Sequence, residues 1–227
     1  MFKQKLKFKN SKGMNLSAIY EGENRDAPLV VTCHGFESSK EGVGSKNLAQ
    51  KLVEKGISVF RFDFTGRGQS EGNTDDLTPL QGLDDLKSAV KSLKHKQFGL
   101  YGSSFGGNVA LLYASQNPVL ALALKAPVSD YLWVIDKEIS QRRKFWAKEL
   151  KNLDIYKNAG NIKAPTLIVH GDADKVVPIE QSRKLLELLG GKKTLEVLSS
   201  VGHIINDEDL EKTNSLIADF VNKNLLY

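Results

Sequence analysis

Cysteine is nearly absent from this chain: Cys33 is the only one in 227 residues. That excludes an internal disulfide framework and any zinc or iron–sulfur site built on cysteines. Proline is scarce, at 6 residues, and 19 glycines fall far short of a fibrous or low-complexity composition. No apolar run approaches the roughly 20 residues of a bilayer-spanning helix, so no stable membrane insertion is expected. The opening MFKQKLKFKN has no apolar core of the secretory-signal kind, and a cytoplasmic location is the expectation. What is present, 41% hydrophobic and 26% charged residues, is ordinary for a globular protein. The length suits a single domain over residues 1–227, able to bury its core without covalent staples.

The formal net charge of +5 raises nucleic acid or an anionic surface as a partner. Its location argues otherwise. Lys3, Lys5, Lys7, Lys9 and Lys12 account for all five charges, and four of them alternate with Phe2, Gln4, Leu6 and Phe8. A period of two puts lysines on the solvated face of a strand, where they also discourage edge-to-edge pairing. No nucleic-acid-binding motif accompanies them, so no nucleic-acid partner is expected. Nothing in the sequence bears on oligomeric state.

Lys3–Phe8 and Asn15–Tyr20, joined by the turn Asn10-Ser11-Lys12-Gly13, read as a hairpin. Beyond it, the continuous apolar run at 29–33 and further strand readings at 57–62, 98–101, 120–125, 165–169 and 194–198 alternate with helical patterns. The helices are expected at 45–55, 78–94, 105–115, 179–189 and 207–224. Thr78-Pro79-Leu80-Gln81 is a capping-box start with proline at the first helical position. Buried strands joined by helices imply an α/β fold with a mostly parallel sheet covered on both faces. The rhythm breaks between Pro127 and Lys163, a stretch too long for one connecting helix, which reads as a short cap insertion at about 128–162.

Gly102-Ser103-Ser104-Phe105-Gly106 is a G-x-S-x-G element between an expected strand and an expected helix. In that context a sharp turn lifts the middle serine, Ser104, above the sheet at a helix N-terminus. A Gly/Ser-rich phosphate-binding loop is the competing interpretation, but the Gly-Lys-Ser/Thr ending of a P-loop is missing. A serine nucleophile needs a base, and the base needs an orienting acid. Of the four histidines, His34, His95, His170 and His203, the last lies in a loop after the final strand, where open α/β sheets bind ligands. His203 is the expected base. The acid is expected between serine and histidine, in the run His170-Gly171-Asp172-Ala173-Asp174. Asp174 is the choice, with Asp172 as the alternative, since Asp172 is also placed to tie down the turn. A metal on His170, Asp172 and Asp174 lacks any further ligand cluster, so no metal and no cofactor are expected. The oxyanion of acyl transfer calls for preorganised N–H donors, expected from the backbone of Phe105 and of Phe36 in His34-Gly35-Phe36.

These motifs occur in an order that resembles the α/β-hydrolase superfamily, as does the loop Asp63-Phe64-Thr65-Gly66-Arg67-Gly68-Gln69-Ser70. The whole block looks like the serine hydrolase group of monoacylglycerol lipases, cinnamoyl or feruloyl esterases and aminopeptidase-like enzymes. It covers nearly the whole chain. It implies an α/β-hydrolase fold and a Ser104–His203–Asp174 triad acting on a small-molecule carboxylic ester, with small acyl or aryl esters foremost. Asp63 is then a loop organiser. Trp133, Phe145 and Trp146, in the insertion, either pack the cap onto the body or line an acyl pocket. The insertion is far shorter than the cap of proline iminopeptidase-like relatives. The rival expectations are thioester or small-peptide hydrolysis at the same site, and a non-catalytic binding module on the same fold.

Overall fold

A computed structural model describes residues 1–93, 97–133, 146, 148–149 and 154–225. Eight strands form one sheet: β1 (Phe2–Lys9), β2 (Asn15–Gly22), β3 (Leu29–Cys33), β4 (Ser58–Phe62), β5 (Gly99–Ser103), β6 (Ala121–Lys125), β7 (Thr166–Gly171) and β8 (Lys193–Leu198). The helices are α1 (Val43–Glu54), α2 (Pro79–Ser92), α3 (Phe105–Ala114), α4 (Ile155–Asn158), α5 (Glu180–Leu188) and α6 (Asp207–Leu225).

The strand order is β1-β2-β4-β3-β5-β6-β7-β8. β1 and β2 form the expected antiparallel hairpin, β2 pairs antiparallel with β4, and the remaining strands run parallel. β1 is an edge strand, and Lys3, Lys5, Lys7 and Lys9 are exposed on it, so the alternation of lysines is a solvated strand face. β3 and β4 are buried along their whole length, as strands covered on both faces must be.

Two apolar layers flank the sheet. Leu83, Leu86 and Ala89 of α2, most of α3, Ile155 of α4 and Leu185 of α5 pack on one face. Leu48, Leu52 and Val53 of α1 and Ile217, Ala218 and Val221 of α6 cover the other. Thr78 caps α2, its hydroxyl accepting from the Gln81 N–H at 3.2 Å, but the expected capping box is only half formed: the Thr78 N–H goes to the Asp76 carbonyl and the Gln81 side chain donates to Asp85. All ten residues of α3 are buried, so this helix is covered all round and sits in the middle of its layer.

The β6–β7 connection includes a 3₁₀ turn at Tyr131–Trp133, α4 and a second 3₁₀ turn at Ala159–Asn161. Within the expected insertion, residues 134–145, 147 and 150–153 lie outside the described residues, as does His95. Among the described residues, no helix is long and apolar enough to cross a membrane.

Sheet register decides which loops meet. From β3 the chain steps one way to β4 and then back past β3 to β5, so the strand order reverses between β3 and β5. Such a switch point opens a crevice at the carboxyl ends of the strands. Cys33 pairs with Gly102 there, and the segments that follow leave the sheet side by side. At the other end Gly171 pairs with Leu198, which aligns the starts of the two loops after β7 and β8.

Candidate active site

The turn after β5 is tightly drawn. Ser104 caps α3 with φ 52° and ψ −114°, a conformation costly for any residue with a Cβ. Its N–H is held by the Lys125 carbonyl at 2.9 Å. Two glycines make the turn possible. A methyl on Gly102 would sit 2.4 Å from the Gly106 carbonyl oxygen, and one on Gly106 would sit 2.2 Å from that of Cys33. Backbone, not a flexible side chain, blocks both. Gly106→Ala is therefore expected to cost about 3 kcal/mol in urea unfolding, the upper range for overpacking.

The loop after β8 delivers His203 to this serine. His203 Nε2 lies 3.0 Å from Ser104 Oγ, and His203 Nδ1 lies 2.6 Å from Asp174 Oδ2. A carboxylate only accepts, so Nδ1 carries the proton and Nε2 is free to accept the serine hydroxyl proton. The Asp174 side chain is buried, while that of His203 is 18% exposed. Burial works against the charge of Asp174. Hydrogen bonds from His170, His203 and the Val177 N–H outweigh it and hold the carboxyl well below the usual carboxylate range. Its Oδ1 accepts from the Val176 and Val177 N–H groups at 2.8 and 2.9 Å.

His170 is the partner that sequence reasoning missed. It is buried at the end of β7, with Nε2 3.2 Å from Asp174 Oδ2 and 3.0 Å from the Val177 carbonyl. Both partners accept, so Nε2 carries the proton and Nδ1 accepts from the Ser182 hydroxyl at 2.7 Å. One carboxylate oxygen thus meets two imidazoles. The signal was the four-residue spacing of His170 and Asp174 across the strand end. Asp172, the alternative acid, instead accepts from the Ser200 N–H at 2.6 Å and ties the two loops together. Among the described residues, no three His, Cys, Asp or Glu side chains gather as a metal site requires.

On the other side of Ser104 lies the loop after β3. A methyl on Gly35 would stand 3.7 Å from Ser104 Cβ, so this loop passes directly beside the serine. Phe105 is the first residue of α3, and its N–H is one of the donors for which a helix has no internal acceptor. The Phe36 ring packs against the Phe105 ring at 5.5 Å between centroids.

The loop after β4 braces this side. Asp63 is fully buried, and its carboxylate accepts from the Lys40 N–H at 2.7 Å, the Lys40 ammonium at 2.6 Å and the Gln69 N–H at 2.8 Å. Lys40 is 2% exposed, so this is a desolvated ion pair whose rupture would strand a buried charge. Asp63 is the loop organiser its position suggests. Cys33 is buried, and burial pushes its thiol far above the ordinary range, which keeps it out of the thiolate form.

His34 links the two loops. Its Nδ1 donates to the Gly35 carbonyl at 2.7 Å, and its Nε2 accepts from the Phe64 N–H at 3.2 Å. Burial lowers its pKa from 6.5 to about 4. The unfolded chain therefore takes up a proton on this histidine at a pH where the folded chain does not. The stability His34 contributes is complete above pH 6.5 and is lost as pH falls toward 4. The loss is on the order of 3 kcal/mol at about 1.4 per pKa unit. Urea midpoints of the protein should fall across that window, and the fall should shrink in His34→Gln.

Three insertion aromatics were expected to pack or to line a pocket. Phe145 and the side chain of Trp133 lie outside the described residues. Trp146 is 2% exposed, and its ring contacts those of Phe36, Phe105 and Tyr131, which packs this stretch onto the body.

Comparison with known proteins adds a family and a set of folds. The family model described as "Serine aminopeptidase, S33" matches residues 24–153 and 146–209. The chain is 29% identical over 190 residues to the uncharacterized protein YfhR of Escherichia coli O157:H7, covering 79% of this chain and 64% of that protein. It is 28% identical over 194 residues to the human protein ABHD12B, covering 74% of this chain and 52% of that one. The chain thus spans less than two thirds of either relative. Among solved structures, Est1E of Butyrivibrio proteoclasticus with ferulic acid bound superposes with a TM-score of 0.85 at 20% identity, over 98% of this chain and 100% of that one. The esterase domain of a Rhodothermus marinus protein gives 0.80 at 22% identity, over 99% and 100%. At these identities the likeness is one of fold.

Proposed function

The chain belongs to the serine aminopeptidase S33 family of the α/β-hydrolase superfamily, and from that premise we propose that it cleaves carboxylic esters through an acyl-enzyme on Ser104. The observation that carries the reading is the continuous relay from Ser104 Oγ through His203 to Asp174, at 3.0 and 2.6 Å. Ser104 Oγ attacks the ester carbonyl carbon while its proton passes to His203 Nε2. The carbonyl oxygen becomes an oxyanion and takes hydrogen bonds from the Phe36 and Phe105 N–H groups. The C–O bond to the alcohol breaks, and the leaving oxygen receives the proton from Nε2. Water then attacks the acyl-serine with His203 again as base, releasing the acid and restoring Ser104. Asp174 stays ionised throughout and holds the imidazole tautomer. In this reading the domain is a single unit, 1–227, whose β6–β7 connection is a short cap at about 128–162. A cytoplasmic setting and a small-molecule substrate go with it.

Esters are favoured over peptides because the β6–β7 connection is short and because solved proteins of like fold are described as esterases or bind ferulic acid. A panel of p-nitrophenyl esters from acetyl to long acyl, with aryl esters, a thioester and an aminoacyl anilide, tests this. The expected result is turnover of short or aryl esters above the rest. Faster cleavage of the anilide or the thioester would assign the site to the corresponding rival.

A further inference from the structure

The two oxyanion donors come from different parts of the chain. Phe36 lies in the loop after β3 and Phe105 in the turn after β5. An oxyanion hole works only if its N–H groups keep a fixed separation and aim, since the donors must lie about 3 Å from one point. The side chains of these two residues are in direct contact. Their rings meet edge to face at 5.5 Å with an interplanar angle of 62°. Trp146, from the β6–β7 connection, touches both, at 5.4 Å from Phe36 and 5.9 Å from Phe105. Tyr131 backs Trp146 at 5.1 Å. On the body side Phe64 supports Phe105 at 5.5 Å and His34 at 4.9 Å. The Arg67 guanidinium lies 4.3 Å over the Phe36 ring and is paired with Glu37 at 2.9 Å.

We propose that Trp146 is a positioning residue that clamps the Phe36 and Phe105 rings together and thereby sets the spacing of the two oxyanion donors. The inference rests on the esterase reading above. Trp146 touches neither substrate nor nucleophile in this scheme; it acts through the side chains of the donors. Each of the four rings is at least nine-tenths buried, and edge-to-face aromatic pairs each add about 1 kcal/mol beyond burial. Loosening the clamp costs most when charge develops on the substrate oxygen. The loss therefore falls on the transition state and not on substrate binding.

The test compares wild type with Trp146→Phe, Trp146→Leu and Trp146→Ala. Active sites are first counted with a fluorophosphonate, so that misfolded molecules drop out of every rate. Turnover of p-nitrophenyl butyrate is then measured per titrated site, together with inhibition by an alkyl trifluoromethyl ketone, whose serine adduct carries the oxyanion. Trp146→Ala is expected to lose about 10- to 100-fold in kcat, with KM within about threefold. Its ketone inhibition constant should rise in proportion. Trp146→Leu, which keeps most of the packing volume, should lose about 10-fold, and Trp146→Phe should stay within about threefold of wild type. If Trp146→Ala does not fold, Trp146→Leu decides. Unchanged kcat and ketone affinity per titrated site in a folded Ala or Leu variant would overturn the clamp. A wild type that reacts with neither fluorophosphonate nor ketone would instead overturn the esterase reading on which it stands.

Discussion

Ser104→Ala should fold like wild type and lose the proposed ester hydrolysis by about 10⁶-fold, the scale seen when a serine nucleophile is deleted. The hydroxyl is the one atom group in the proposed mechanism with no substitute. Ser103, its neighbour, is instead hydrogen-bonded to Tyr101. Ser182 does meet a histidine and, through it, the same carboxylate, but it is fully buried on α5. The variant should also unfold at a slightly higher denaturant concentration if anything, because alanine needs no more strain than serine at φ 52° and no catalytic hydroxyl need be held there. Turnover on the ester panel together with a urea titration separates this outcome from simple misfolding.

Asp174→Asn should cost about 10⁴-fold in kcat while leaving KM nearly unchanged. The reason lies in the partners of this carboxylate, all of which are donors: two backbone N–H groups on Oδ1, and His203 and His170 on Oδ2. An asparagine that keeps its oxygen on the backbone donors must turn its NH₂ toward both imidazoles. His203 then meets the amide with a lone pair on Nδ1 and carries its proton on Nε2, facing Ser104. In that tautomer it cannot take the serine proton. His170 is forced the same way and loses its Nε2 donation, so the loop should loosen as well. An activity loss under about tenfold in a folded variant would mean that Asp174 does not set the tautomer.

Much of this site was legible in the sequence because each part is a local signal. The nucleophile turn is spelled out by Gly102 and Gly106, whose absent side chains are required by contacts to backbone. His203 and Asp174 lie in loops after apolar runs, and the order of the runs placed those loops at one sheet edge. The α2 start was equally local, in Thr78, Pro79 and Gln81. What was not legible depends on register and on distant partners. Lys40 and Asp63 are 23 residues apart, and nothing in either neighbourhood announces a buried pair. The Trp146 contacts with Phe36 and Phe105 span still longer separations, and an aromatic in an insertion reads equally well as packing or as pocket. The pairing of His170 with Asp174 depends on the fold of the 171–177 loop, which brings the carboxylate back against the end of β7. Element ends also shifted by one or two residues. β7 runs on to Gly171, and α1 begins at Val43, because hydrogen bonding and not apolar pattern sets a terminus.

The central claim is that Ser104 is the nucleophile. Intact-mass and peptide analysis of the protein after reaction with a fluorophosphonate tests it most directly. The account predicts one adduct per chain, located at Ser104, with none in Ser104→Ala and a slowed reaction in Asp174→Asn. An adduct on any other residue, or stoichiometric labelling that survives in Ser104→Ala, would contradict it.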